Sequence, residues 1–197
     1  MSEREYSVEN DLKEVQKMVE ALEPYVYQDQ LYMPIGGGGS IFNPMPALTI
    51  GAVLLRLRRL RALQDKLTPS QQATLEALVE QNQKVWDEWR VHYENKLLEE
   101  AQSRLKLLSS YVEDCKEDPR GCANNYPAEA LRRTIVQEIA NFLDEHGIHS
   151  ADLDRSIAHV DSGLRGYVKP EGFLWSPALQ PVYPKDPFWW LYSEPLR

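Results

Sequence analysis

The densest group of residues that could bind a metal ion in this sequence lies between positions 146 and 154. It consists of His146, His149, Asp152 and Asp154. Imidazole and carboxylate groups together can hold zinc, iron or manganese, which raises the alternative of a helical metalloenzyme with a site near residues 146–154. Helix capping is the simpler interpretation, because a histidine is favourable in the last turn of a helix and an aspartate in the first. We therefore predict no metal site and no cofactor.

A second group with chemical potential is the set of arginines at positions 56 to 61. Its members are Arg56, Arg58, Arg59 and Arg61. Guanidinium groups can contact phosphates, which raises the alternative of a nucleic-acid-associated factor. The chain, however, has 30 Asp and Glu against 22 Lys and Arg, a net charge of −8 that opposes binding to a phosphate backbone. We expect these arginines to form a solvated face or to pair with carboxylates, and we predict no nucleic-acid partner.

The two cysteines, Cys115 and Cys122, flank a loop short enough for a disulfide if its geometry allows. Half of a zinc site is a weaker possibility, because no second CxxC or HxxxH lies nearby. The first residues are charged and lack the apolar segment of a secretory signal. Two reduced thiols in a cytoplasmic protein are therefore the favoured prediction. The sequence leaves open whether the two cysteines form a disulfide.

Other catalytic patterns lack their context. The glycines at 36–39 follow no strand and precede no Gly-Lys-Ser/Thr, so they predict a flexible loop rather than a phosphate cradle. No GxSxG elbow for a serine nucleophile is present. The sequence thus favours a protein that is not an enzyme. An active site assembled from residues distant in sequence is left open.

The most informative predicted element of the chain is one long helix. After Pro69 neither proline nor glycine occurs until Pro119. Thr68 is a candidate N-cap, with Pro69 as the first helical residue and Gln71 as capping-box partner. We predict one central helix over about 69–116. At 1.5 Å per residue it would extend about 70 Å, further than its neighbours could cover.

Shorter helices are predicted on either side of this one. Apolar spacing, the capping residues Ser7, Thr49 and Ser150, and a helix start at Tyr126-Pro127 predict helices over 8–23, 49–66, 126–146 and 150–161. Gly147 suits the left-handed position after the helix over 126–146. The fold class expected is all-α, a helical bundle of residues 1–166 around the central helix.

Residues 167–197 differ from the rest in being rich in proline and aromatic residues. Proline prevents a long helix, and the large rings argue against a solvated tail. We predict an extended C-terminal strap packed on the helical domain. Its segment Phe188-Trp189-Trp190 should either dock within the chain or bind a partner.

The middle of the predicted central helix would remain uncovered by its neighbours. Together with the strap, it supplies the candidate partner-binding residues Trp86, Trp89, Tyr93, Phe188, Trp189 and Trp190. The most apolar run, residues 47–55, is too short to cross a bilayer. We therefore predict a non-enzymatic cytoplasmic protein-protein interaction or assembly protein, with a protein partner or self-association and no membrane contact.

Overall fold

A computed structural model of the chain describes residues 6–36 and 45–196. Within these ranges the helices are α1 (Val8–Glu20), α2 (Leu22–Val26), α3 (Ile50–Ala62), α4 (Pro69–Glu88), α5 (Arg90–Glu117), α6 (Pro119–Glu145) and α7 (Ala151–Arg165). Two short strands, β1 (Val168–Pro170) and β2 (Ser193–Pro195), form an antiparallel pair. The predicted all-α class is confirmed. Most of the glycine loop, from Gly37 onward, lies outside the described residues.

The chain divides into two compact units, with the boundary after Glu100 inside α5. The domain boundary expected at residues 166 and 167 lies within the second unit. In the first unit, α1 packs against α3 and α4. Ser7 and Thr49 cap α1 and α3 by accepting backbone N–H bonds from Asn10 and Ala52, as the sequence indicated.

The prediction of a single central helix is wrong, because one residue interrupts it. Thr68, Pro69 and Gln71 form the expected capping box, but α4 ends at Glu88 and α5 begins at Arg90. Trp89 between them leaves helical geometry, with φ −120° and ψ 32°. The length that made this helix too long for its neighbours is therefore divided between two helices.

The helix predicted over 126–146 begins earlier than expected, at Pro119. Asp118 caps α6 by accepting a hydrogen bond of 2.9 Å from the backbone of Gly121, and Pro119 occupies the first helical position. A β-carbon at Gly121 would overlap the Asp118 carboxylate as it now lies, so any other residue there would displace that carboxylate. Pro127 consequently lies inside α6, where it costs a backbone hydrogen bond. The side chains of Tyr126 and Ala130, on either side of it, are buried.

The C-terminal segment is folded back on itself and is not a single extended strap. The pairing of β1 with β2 closes a loop, inside which the backbone of Leu174 donates to Leu191. Within the loop, the rings of Trp175, Tyr183 and Phe188 pack edge to face in sequence, with centroids 5.0–5.2 Å apart. This part of the chain packs on α6, as the sequence predicted for the aromatic segment.

Candidate functional site

The break between α4 and α5 places an aromatic cluster on the surface of the first unit. Trp89 is half-buried, and its ring meets Tyr27 edge to face at 4.3 Å. The exposed ring of His92 lies 6.0 Å from Tyr27 and 6.2 Å from Trp89. Tyr27 is 46% exposed, which is unusual for so large a ring. We call Tyr27, Trp89 and His92 the junction cluster.

Two features of the junction cluster distinguish it from ordinary packing. The indole nitrogen of Trp89 is buried without a hydrogen-bond acceptor among the described residues. Such a donor costs about 1–3 kcal/mol relative to a satisfied one. In addition, partial burial raises the pKa of the Tyr27 phenol, and the carboxylates of Glu23 and Glu88 raise it further. The cluster is therefore aromatic, and the carboxylates of Glu23 and Glu88 act on its phenol.

Two of the predicted partner-binding residues lie beneath this surface. Trp86 is fully buried and meets the buried ring of Tyr93 edge to face at 5.4 Å. Arg90 covers the Trp86 ring, with its guanidinium carbon 5.0 Å from the ring centroid. Both side chains are therefore shielded within the chain itself, so neither is exposed for a partner as the candidate partner-binding role requires.

The aromatic residues of the C-terminal segment are largely occupied within the second unit. Phe188 and Trp190 are buried, and the Trp190 indole donates a 2.9 Å bond to Thr134. Arg133 covers the Trp190 ring at 4.1 Å and pairs with both oxygens of Asp161. Of the predicted partner-binding residues in this segment, Phe188 and Trp190 therefore serve the fold.

Trp189 is the half-buried member of that segment. The guanidinium of Arg165 lies 3.9 Å from its ring centroid, and the neighbouring Trp190 ring is 5.7 Å away. Cation–π contact with an exposed arginine is worth about 0.5–1 kcal/mol. Trp189 thus already has a cationic partner within its own unit.

The arginine group divides into two buried and two more exposed members. Arg59 is 1% exposed, and Arg56 is also buried. Arg56 donates two hydrogen bonds to one oxygen of Glu14, at 2.9 and 2.6 Å. Both arginines lie 3.7 Å from the buried carboxylate of Asp11. As folded, Arg56 and Arg59 do not offer guanidinium groups to nucleic acid, whereas Arg58 and Arg61 are partly and fully exposed.

The histidine and aspartate group near α7 is not assembled into a metal centre. His146 bonds through Nδ1 to the carbonyl of Phe142 at 2.7 Å and stacks on the Phe142 ring. His149 lies 3.7 Å from Asp144, outside the proposed ligand set. Within the described ranges, no three potential ligands converge. The expected capping by Ser150 is present, since its hydroxyl accepts from the backbone of Leu153.

The cysteines depart from the favoured prediction. Cys115 and Cys122 are joined in a disulfide, with their Cα atoms 5.1 Å apart. Tyr111 donates a 2.9 Å bond to the carbonyl of Cys122, which ties the end of α5 to the start of α6. The prediction of two reduced thiols is therefore wrong, because the early start of α6 brings the sulfur atoms together.

Sequence reasoning missed Tyr27 and His92 because neither belongs to an apolar periodicity. The only sequence signal for Tyr27 was its position in an aromatic stretch after Pro24. Comparison with known protein families, with curated proteins and with solved structures finds no match. None of the helices in the described ranges combines the length and apolar character that crossing a bilayer requires.

Proposed function

We propose that this chain is a non-enzymatic protein-interaction protein and that the junction cluster is its contact surface. The observation that carries the proposal is the half-buried Trp89 beside an exposed Tyr27. Tryptophan and tyrosine dominate binding energy at protein interfaces, because they bury a large area with few rotatable bonds. The argument from a helix too long for its neighbours no longer applies, since α4 and α5 are separate.

The chemistry of the junction cluster favours a basic segment of a partner protein as its occupant. Aromatic ring faces attract cations, and the Glu23 and Glu88 carboxylates add attraction of the same sign. Self-association is less favoured, because two copies carry a net charge of −8 each.

The proposal is tested with a defined probe. The probe is a short peptide carrying two arginines between alanines, compared with its citrulline counterpart, which has nearly the same shape and no charge. Calorimetry should show binding of the arginine peptide alone, and binding should weaken as salt is raised. Trp89→Leu should weaken it about five- to thirtyfold, since a desolvated cation–π contact contributes about 1–2 kcal/mol.

Two further variants make the test specific. Tyr27→Ala and the pair Glu23→Gln with Glu88→Gln should each weaken binding, because they remove the exposed ring or the carboxylates. Val91→Ala is the matched control, since Val91 is 67% exposed near Trp89 and outside the cluster. Far-UV circular dichroism verifies that each variant is folded. Equal binding by wild type and Trp89→Leu would contradict the proposed surface.

Light scattering on the same samples separates the two kinds of occupant. We expect a monomer. A dimer that Trp89→Leu disperses would show that a second copy occupies the cluster and would overturn the basic partner. If wild type neither binds the peptide nor self-associates, the interaction function itself is rejected.

A cytoplasmic location is part of the proposal, and the disulfide between Cys115 and Cys122 weighs against it. Cytosolic thiols are normally kept reduced. To test the cytoplasmic location, the protein is isolated with its free thiols blocked. The measurement is whether Cys115 and Cys122 are reduced or joined in a disulfide.

A further inference from the structure

The second unit contains a groove that the interaction function does not use. It lies between the second half of α5 and α7 and consists of two adjoining cavities of about 570 and 470 Å³. Both are open to solvent, and their volumes lie within the range of small-molecule sites. The residues that line both cavities are Lys106, Ser109, His159 and Val160. We call this surface the α5–α7 groove.

Several side chains that are hydrogen-bond donors line the groove. Lys106 and the hydroxyl groups of Ser109 and Ser162 line it, and each lacks a hydrogen-bond or ion-pair partner among the described residues. The same is true of His159, which is exposed on α7. Four groups that can donate are therefore available to the oxygen atoms of one ligand.

The charges around the groove are unevenly balanced. Its carboxylates already have partners, since Asp152 pairs with Arg155 and Glu113 pairs with Lys116. Lys106 is left over as an uncompensated positive charge. In a chain with a net charge of −8, the lining of this groove thus carries a local excess of positive charge.

The floor of the groove is apolar. Leu105 and Val160 lie under one cavity, and Val112 and Val160 under the other. All three side chains are buried. The side chain of Val112 packs closely against Gly163. A β-carbon on Gly163 would lie 3.0 Å from the Val112 side chain. A ligand in the groove would therefore have apolar side chains beneath it and polar groups around it.

We propose that the α5–α7 groove binds an organic phosphate, with its phosphate held by Lys106 and the surrounding donors and its apolar body on the floor. Phosphate suits such a site because it presents several acceptor oxygens to nearby donors. The site is separate from the junction cluster and does not depend on the interaction function.

The test uses 1-naphthyl phosphate as the probe and calorimetry on the full chain. We expect saturable binding by wild type, at least about tenfold weaker in Lys106→Gln, because a charge-assisted hydrogen bond contributes about 1.5–3 kcal/mol. His159→Ala should also weaken it. Lys84→Gln is the matched control, because Lys84 is an exposed lysine of α4 outside the groove, and its binding should equal that of wild type.

Two ligand controls resolve which part of the proposal holds. Uncharged 1-naphthol should bind much more weakly than the phosphate, and equal binding would overturn the anion site. Inorganic phosphate should also bind more weakly, and equal binding would overturn the organic ligand. Absence of saturable 1-naphthyl phosphate binding, or binding unchanged in Lys106→Gln, would reject the groove as a site.

Discussion

The phenol of Tyr93 donates a 2.9 Å hydrogen bond to the side-chain oxygen of Asn82, and both residues are buried. In one continuous helix these residues would lie about 16 Å apart along the axis. That separation is more than a tyrosine and an asparagine side chain can span. The bond therefore requires the chain to change direction between them, which it does at Trp89.

Removing one partner of this bond should destabilise the protein, whereas removing both should cost less. Tyr93→Phe leaves the buried Asn82 oxygen without this donor, and we expect the free energy of unfolding to fall by about 1–3 kcal/mol. Asn82→Leu combined with Tyr93→Phe replaces both polar groups by apolar ones and should recover part of the loss. Urea denaturation of the two single variants and the double variant measures the coupling.

An additive result, with no recovery in the double variant, would contradict coupling between the two residues. Asn95→Ala, at an exposed position of α5, serves as the control and should change the free energy of unfolding by less than about 0.5 kcal/mol.

Alkaline pH should destabilise the second unit through Tyr126. Burial raises the pKa of this phenol above its ordinary value of about 10, and the neighbouring Tyr111 raises it further. The folded state then holds the proton more tightly than the unfolded state. This contribution is fully present below about pH 10 and is lost as pH rises further, by up to about 1.4 kcal/mol per pH unit.

Denaturation curves recorded at a series of pH values from about 8 to about 11 measure this loss of stability. Tyr126→Phe removes the titrating group together with its 2.7 Å bond to the Trp190 carbonyl. The variant should be less stable at pH 8 and should lose stability less steeply above about pH 10. Parallel pH profiles for variant and wild type would refute the role of Tyr126.

Loss of the disulfide should destabilise the junction between α5 and α6. The bond closes a short loop, for which the chain-entropy model gives about 2–3 kcal/mol. Cys115→Ala with Cys122→Ala should lower the free energy of unfolding by about that amount and leave the far-UV circular dichroism of the folded state unchanged. Reductant should destabilise wild type and leave the double variant unaffected.

Mass spectrometry after alkylation should find both cysteines of native protein protected. Labelling of both under native, non-reducing conditions would count against the bond and would restore the prediction of reduced thiols.

Local signals in the sequence predicted where α1, α3, α4 and α7 begin. The caps at Ser7, Thr68 and Ser150 are where the sequence placed them, because a capping side chain bonds within its own first turn. Gly147 takes the expected left-handed conformation, with φ 69°. The start of α6 was missed because Pro127 suggested a helix start, whereas the cap at Asp118 decided it.

The candidate site was predicted only in part, since Trp89 was singled out and its neighbours in the junction cluster were not. Tyr27 and Trp89 meet through a contact across a long stretch of chain, which no local pattern reports. The same holds for the α5–α7 groove, whose two faces belong to helices separated by the whole of α6.

The sequence by itself determined the helical class, the caps and the clustering of aromatic residues at the C-terminus. These properties depend on interactions within a few residues or on composition. Only the tertiary structure decided that the chain bends at Trp89, that Arg59 and Trp86 are buried and that Cys115 meets Cys122. The physical reason is that bending and burial follow from contacts between residues distant in sequence, and packing outweighs local helix propensity where the two conflict.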